Sequence, residues 1–178
     1  QIVGVPAVLK WEEDYFIPLE EQEDLNIIYV YHDERGLPEW ERMCQKFRYV
    51  GLSGVVGKDE VGVQKYLQLV QVANRYLCKV HGFAITREEL MYKIPFTTVD
   101  STTWKSGERY GDIMIWKGNR FIRTKDKNVK KDYKAYFEAN HLDYQKIIDE
   151  DNYELSKSCI LAFKEMEKQI NSLYSVHP

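Results

Sequence analysis

The segment FTTVDSTTW, residues 96–104, is the stretch that decides the fold of this chain. Thr97, Thr98 and Val99 favour an extended, buried strand, and Asp100 stands where that strand should end. The carboxyl ends of parallel strands form the rim on which α/β folds place their chemistry. The segment therefore predicts a strand that delivers Asp100 to a functional edge.

Three earlier segments share this pattern, an apolar run that ends in polar residues or glycine. They are IIYVYHD at 27–33, YVGLSG at 49–54 and CKVHGF at 78–83. Helical periodicity separates them, from Pro38 to about residue 47 and again over about 59–77. Strands that alternate with helices predict parallel βαβ units. Their polar ends, with Asp100, are expected to share one rim.

The rhythm changes after residue 104. Two alternating runs joined at Lys117-Gly118-Asn119 predict a β-hairpin, and two helices follow, from near residue 128 and over about 153–174. The predicted fold is α/β, with parallel (β/α) units of a TIM-type barrel and a C-terminal hairpin and helices. We expect a partial barrel with the hairpin over 1–124, and a helical extension packed on the same domain over 125–178.

The composition limits the possible functions. Twenty-five basic residues against 28 acidic ones give a net charge of −3, which argues against a protein that coats nucleic acid by bulk charge. Three isolated cysteines, Cys44, Cys78 and Cys159, fit neither a disulfide framework nor a zinc motif and favour the cytoplasm. No run is long enough for a membrane span. We therefore expect no membrane association, no metal and no cofactor.

In order, the strand endings resemble the later barrel strands of the tRNA-guanine transglycosylase family, which acts on 7-deazaguanine bases. GLSGVVG at 51–57 is similar to the family's Gly-Gly-Leu-Ala-Val-Gly segment, HGFAIT at 81–86 to its Met-Gly-Val-Gly-Thr turn, and FTTVDS at 96–101 to its Met-Phe-Asp-Cys strand. Uncharacterised phage proteins resemble the chain more closely, through Val-Asp-Ser-Thr-Ser/Thr-Trp and a Gly-x-Arg-Phe/Tyr-Gly turn, here GERYG at 107–111.

The chain also departs from the family. It has no Asp-Ser-Gly-x-Phe motif, whose aspartate is thought to act as the family's general acid/base, and no Cys-x-Cys-x-x-Cys zinc site. Eight βα units need about 200 residues or more, and the chain opens on Gln1 rather than methionine. The missing Asp-Ser-Gly-x-Phe motif, the chain length and the opening on Gln1 favour the C-terminal half of a barrel, completed by a missing N-terminal segment or a companion chain. The missing zinc site, which follows the nucleophile in the family, is not explained in this way.

The resemblance implies base exchange or base excision on nucleic acid or a nucleotide, with Asp100 as the nucleophile that attacks the sugar C1′. A purine-like base would then be bound by residues at the strand ends and by nearby aromatic rings. These candidates are His32, Ser53, Gly54, His81, Gly82, Ser101, Trp104 and Tyr110.

Each candidate also has a structural interpretation. Asp100 could cap the turn formed by residues 101–103, His32 could be a polar strand end, and His81 could be a half-buried histidine with its hydrogen bonds satisfied. The glycine at 54 could simply make a tight βα turn, and the aromatic rings could close a core. The alternative function is thus a phage-type barrel protein that binds a partner without turnover.

A basic stretch beside Tyr133 and Tyr136 is a second candidate for nucleic-acid contact. A solvated helix face is the simpler interpretation, since Asp126 and Asp132 dilute the charge. The basic residues are Arg120, Arg123, Lys125, Lys127, Lys130, Lys131 and Lys134.

Overall fold

The structure is a computed structural model that describes residues 4–23, 25–53 and 60–174. The chain forms two compact units. The first comprises Gln1–Phe83 and Phe96–Thr98, and the second comprises Ala84–Pro95 and Val99–Pro178.

The first unit begins with helices. Helix α1 (Val5–Trp11) continues through a π-helical turn at Glu12–Phe16 into α2 (Ile17–Glu23). Pro6 suits the first turn of α1, because its missing N–H would be unpaired there in any case. Neither α1 nor α2 contains a fully buried residue.

The predicted alternation of strand and helix is confirmed. Strands β1 (Tyr29–Tyr31), β2 (Tyr49–Ser53), β3 (Lys79–Phe83) and β4 (Thr98–Val99) form one parallel sheet in the order β1-β2-β3-β4. Helix α3 (Gly36–Lys46) links β1 to β2, and α4 (Glu60–Arg75) precedes β3. Leu52 pairs with Tyr31 on one side and with Gly82 on the other, so the first three strands end together.

The core of the first unit lies between the sheet and helices α3 and α4. The Trp40 ring is fully buried, meets Tyr31 edge-on, and donates from Nε1 to the carbonyl of Leu69 at 2.9 Å. Because Tyr29, Val50 and Val80 pair side by side, their side chains share one face of the pleated sheet. The alternate positions Val30, Gly51 and His81 face the opposite side.

The second unit contains α5 (Glu88–Lys93), α6 (Ser106–Tyr110) and the predicted hairpin of β5 (Ile113–Lys117) and β6 (Arg120–Thr124). Gly118 and Asn119 both have positive φ, as a two-residue hairpin turn that matches the strand twist requires.

The end of the second unit is helical. The first predicted C-terminal helix is instead three short ones, α7 (Lys127–Asp132), α8 (Lys134–Ala139) and α9 (Tyr144–Ile148). The long last helix, α10 (Asn152–Tyr174), follows the prediction closely. The core of this unit joins the hairpin to these helices through Ile113, Ile115, Phe137, Leu142, Ile147 and Leu155. Among the residues that the structure describes, every helix is too short or too polar to cross a membrane.

Candidate functional site

Asp100 follows β4 directly, as the sequence predicts, and its side chain is exposed. Oδ1 accepts a hydrogen bond of 2.8 Å from the backbone N–H of Ala84. Ala84 has a φ of 56°, a left-handed conformation that an L-residue with a side chain adopts only at a cost in free energy. Backbone strain of this kind is found most often at functional sites, where surrounding contacts maintain it. The carboxylate of Asp100 is therefore exposed, with Oδ1 hydrogen-bonded to the backbone of Ala84.

The turn after Asp100 is capped by Ser101. The Ser101 hydroxyl accepts from the backbone N–H of Thr103 at 3.1 Å and lies 2.8 Å from the Thr103 hydroxyl. Thr103 in turn lies 3.4 Å from the hydroxyl of Thr86. The capping role considered for Asp100 thus falls on Ser101, whose hydroxyl serves the turn.

The two candidate aromatic residues lie at the surface of the second unit. Trp104 is 37% exposed, with the Lys105 ammonium 5.2 Å from its ring centroid. Tyr110 is 61% exposed, and the Arg123 guanidinium lies 5.7 Å from its ring. Neither ring closes a core, and a cationic side chain lies over each ring.

His81 is a buried residue of β3 in the first unit. Its Nδ1 lies 2.6 Å from the hydroxyl of Thr98, and its ring meets those of Tyr49 and Phe83 edge-on. These contacts favour the structural interpretation of His81, which is buried and hydrogen-bonded through Nδ1 within the first unit.

His32, Ser53 and Gly82 lie at or near the carboxyl ends of β1, β2 and β3. His32 is exposed, Ser53 is half-buried, and the carbonyl of Ser53 accepts from the Tyr66 hydroxyl at 3.4 Å. Gly82 is buried beside Leu52. The parallel register thus brings these three candidates to one end of the sheet. Gly54 lies outside the described residues.

Within the second unit, three residues of the basic stretch form ion pairs and a fourth is buried. Arg123 pairs with Asp112 at 2.5 Å, Lys127 with Glu150 at 3.7 Å, and Lys134 with Glu138 at 3.7 Å. Lys130 is fully buried and donates from Nζ to the carbonyl of Gly111 at 3.1 Å, and this burial lowers the pKa of its ammonium group. These contacts favour the solvated-face interpretation over a phosphate-binding platform.

One cavity in the first unit was missed from the sequence. It has a volume of about 400 Å³ and lies between α1 with its π-helical turn and the segment around β1. Arg35, the last residue of the 3₁₀ turn Asp33–Arg35, lines the cavity together with Glu12. The sequence did contain a signal for the ion pairs beside this cavity. Arg35 and Arg42 stand four and three residues from Glu39, and residues at these spacings on a helix form ion pairs.

Among the described residues there is no cluster of three or more histidine, cysteine, aspartate or glutamate side chains arranged to hold a metal ion. Comparison of the chain with family models, with curated proteins and with solved structures finds no match. The assignment of a function therefore rests on the residues and their geometry.

Proposed function

We propose that this chain is a cytoplasmic base-exchange or base-excision enzyme of the 7-deazaguanine transglycosylase type, acting on nucleic acid or a nucleotide through Asp100. The observation that carries the proposal is the exposed Asp100 carboxylate, held by the strained Ala84 amide at the carboxyl end of a parallel strand. An oriented carboxylate meets the first requirement of a nucleophile, because reaction needs the attacking atom in line with the bond that breaks.

The proposed chemistry has two displacements. An oxygen of Asp100 forms a bond to C1′ of the sugar as the C1′–N bond breaks, and the bonding electrons leave with the base, which takes a proton from solvent. An incoming base or a water molecule then attacks C1′, gives up its proton to solvent, and releases the carboxylate. Trp104 and Tyr110 supply exposed rings for stacking.

The order of the sheet is consistent with a barrel-type enzyme. Strands that neighbour each other in chain order, β1-β2-β3-β4, are what a (β/α) barrel requires, whereas doubly wound sheets reverse their order at a switch point. The three free, buried cysteines suit a reducing compartment.

A binding module without turnover is the second candidate. The hydrogen bond from the Ala84 N–H to Asp100 favours this candidate, because a carboxylate that accepts this bond already has a structural role. The two candidates differ in what Asp100→Asn does, because an amide oxygen can still accept from Ala84 but cannot attack C1′.

The test is incorporation of labelled guanine or 7-deazaguanine bases into RNA, DNA and nucleotides, together with release of the original base. We expect turnover by the wild-type chain and none by Asp100→Asn. Asp126→Asn is the matched control, because Asp126 is also an exposed carboxylate that accepts a backbone hydrogen bond. Its Oδ1 caps α7 by accepting from the backbone N–H of Asn128 at 2.8 Å. Turnover by Asp100→Asn at the wild-type rate, or no turnover by the wild-type chain on any of these substrates, would reject the enzyme in favour of the binding module.

A further inference from the structure

The helical segment at residues 5–23, formed by α1, the π-helical turn and α2, exposes apolar side chains that a surface helix normally buries. Across the described residues 4–23, the one fully buried side chain belongs to an acid, Glu12. Four large apolar side chains are instead 41–64% exposed, and they are Trp11, Tyr15, Phe16 and Leu19. Because a helix usually turns its apolar face to the core, this exposed face requires an explanation.

The π-helical turn aligns these four side chains. It closes with a backbone hydrogen bond to the carbonyl of Glu12 from the N–H five residues later, so residues four and five apart lie on one side of the turn. Trp11 and Phe16 are five apart, while Trp11, Tyr15 and Leu19 follow one another at intervals of four. Together they form one apolar stripe, about 12 Å long at the rise of a helix.

Two carboxylates attach the segment to the rest of the first unit. Glu12 accepts from Nη2 of Arg42 on α3 at 3.2 Å. Glu20 accepts from the hydroxyl of Tyr29 on β1 at 3.1 Å. The segment is thus held through acidic side chains, and its apolar stripe is left as an exposed surface.

The charge around the stripe is strongly negative. Residues 5–23 contain six carboxylates and one ammonium group, a net charge of −5, whereas the whole chain has −3. Glu21 and Glu23 are exposed and form no ion pair with any residue that the structure describes. Glu23 stands four residues after Leu19, at the end of the stripe. Such a surface repels anionic lipids and nucleic acid and attracts lysine and arginine side chains.

The backbone of the segment limits the conformation of a partner. Backbone groups within a helix are paired with each other, so the stripe offers no hydrogen bonds to an extended peptide. A partner must therefore pair its own backbone groups, which favours a helix. We propose that the apolar stripe docks a basic amphipathic helix of a partner protein, with lysine or arginine side chains facing Glu21 and Glu23. This surface is independent of Asp100 and of the proposed base chemistry.

The test uses a labelled helical peptide of about four turns as the probe, with leucines at helical spacing and lysines elsewhere. The matched probe has glutamate in place of each lysine. Fluorescence anisotropy measures affinity, and backbone NMR signals locate the site. We expect the lysine peptide to bind, to shift the signals of residues 11–19 and to leave those of the hairpin at 113–124 unchanged. The glutamate peptide should bind at least about tenfold more weakly, since like charges repel.

Variants of the full chain separate the stripe from the bulk charge. Tyr15→Ser/Leu19→Ser keeps every charge and should weaken binding of the lysine peptide at least about tenfold, because exposed aromatic anchors carry much of the energy of such contacts. Tyr153→Ser/Leu173→Ser is the matched control, at exposed apolar side chains of α10 in the second unit, and should bind as the wild type does.

Glu21→Gln/Glu23→Gln keeps the stripe and decides the question if Tyr15→Ser/Leu19→Ser does not fold. It should weaken binding at least about threefold at low salt, and the difference should shrink at high salt because salt screens exposed charges. Vesicles of phosphatidylcholine, with and without phosphatidylglycerol, test the competing membrane surface and should not bind. Wild-type affinity in either double variant of the segment, equal affinities for the two peptides, no binding of the lysine peptide, or binding to the vesicles would overturn the proposal.

Discussion

At the scale of single residues, the hydrogen bond between Asp100 and Ala84 occurs at a strained position of the backbone. The Ala84 backbone is left-handed, and its N–H finds its acceptor on a side chain sixteen residues away rather than in a strand ladder. Strain of this kind persists only where surrounding contacts hold it. The Asp100 side chain supplies one of those contacts.

Asp100→Ala should therefore lower the free energy of unfolding by about 0.5–2 kcal/mol, the range measured when side-chain caps of backbone amides are removed. Asp100→Asn should stay within about 0.5 kcal/mol of the wild type, because its amide oxygen replaces the carboxylate oxygen as acceptor. Urea denaturation of both variants measures this. Equal stability of Asp100→Ala and the wild type would show that the Ala84 contact contributes nothing.

At the scale of elements, the end of α4 carries a comparable strain. Leu77 has a φ of 54° and is 92% exposed, and the N–H of Cys78 returns to the carbonyl of Ala73 at 3.0 Å. This is the left-handed position at which helices usually end on glycine. Here a leucine occupies it, with almost none of its side chain in contact with the protein.

Leu77→Gly should therefore raise the free energy of unfolding by roughly 1 kcal/mol, through relief of the left-handed backbone. Leu77→Ala is the control, because it removes the same exposed side chain but keeps a Cβ at positive φ. It should give no comparable gain. Thermal melts of the wild type, Leu77→Gly and Leu77→Ala measure these differences. A decrease in stability for Leu77→Gly would contradict the proposed strain at the end of α4.

The same elements show how far the sequence leads. The strands, α3, α4, the hairpin and α10 follow from apolar periodicity and from local markers such as Pro38 and Gly118, which act over a few residues. The breaks among α7, α8 and α9 carry no proline or glycine. One of them passes through His141, with a φ of 60°, and a local pattern gives no sign of it.

The candidate site likewise has a part that the sequence predicts and a part that it does not. The place of Asp100 at a strand end could be predicted, because it depends on one segment. Its partner Ala84, the satisfied Nδ1 of His81 and the pairing of Glu12 with Arg42 could not, since each depends on tertiary contacts between segments distant in the chain.

At the scale of the whole molecule, the ion-pair network around Glu39 makes stability depend on pH. Hydrogen bonds from Arg42 hold the pKa of Glu39 below its usual value in the folded state. A carboxyl group with a lowered folded pKa stabilises the protein above its unfolded pKa, and this contribution is lost as the pH falls through the folded value.

Glu39→Gln should accordingly cost about 1–3 kcal/mol at pH 7, because it leaves the partly buried Arg42 donors with a poorer partner. The difference from the wild type should shrink as the pH falls below about 4. Glu89→Gln, at an exposed carboxylate paired with Lys93, is the control and should leave the stability close to that of the wild type. A Glu39→Gln effect that is constant from pH 7 to pH 3 would contradict the network.

The central claim, that Asp100 is a nucleophile, is tested most directly by trapping its intermediate. The chain is mixed with oligonucleotides, quenched under denaturing conditions and analysed by intact-mass and peptide mass spectrometry. We expect an adduct whose mass equals that of the oligonucleotide without one base, located on the peptide that contains Asp100 and absent from Asp100→Asn. An adduct of the same mass on Asp100→Asn, or unmodified wild-type chain with every oligonucleotide and nucleotide tried, would contradict it.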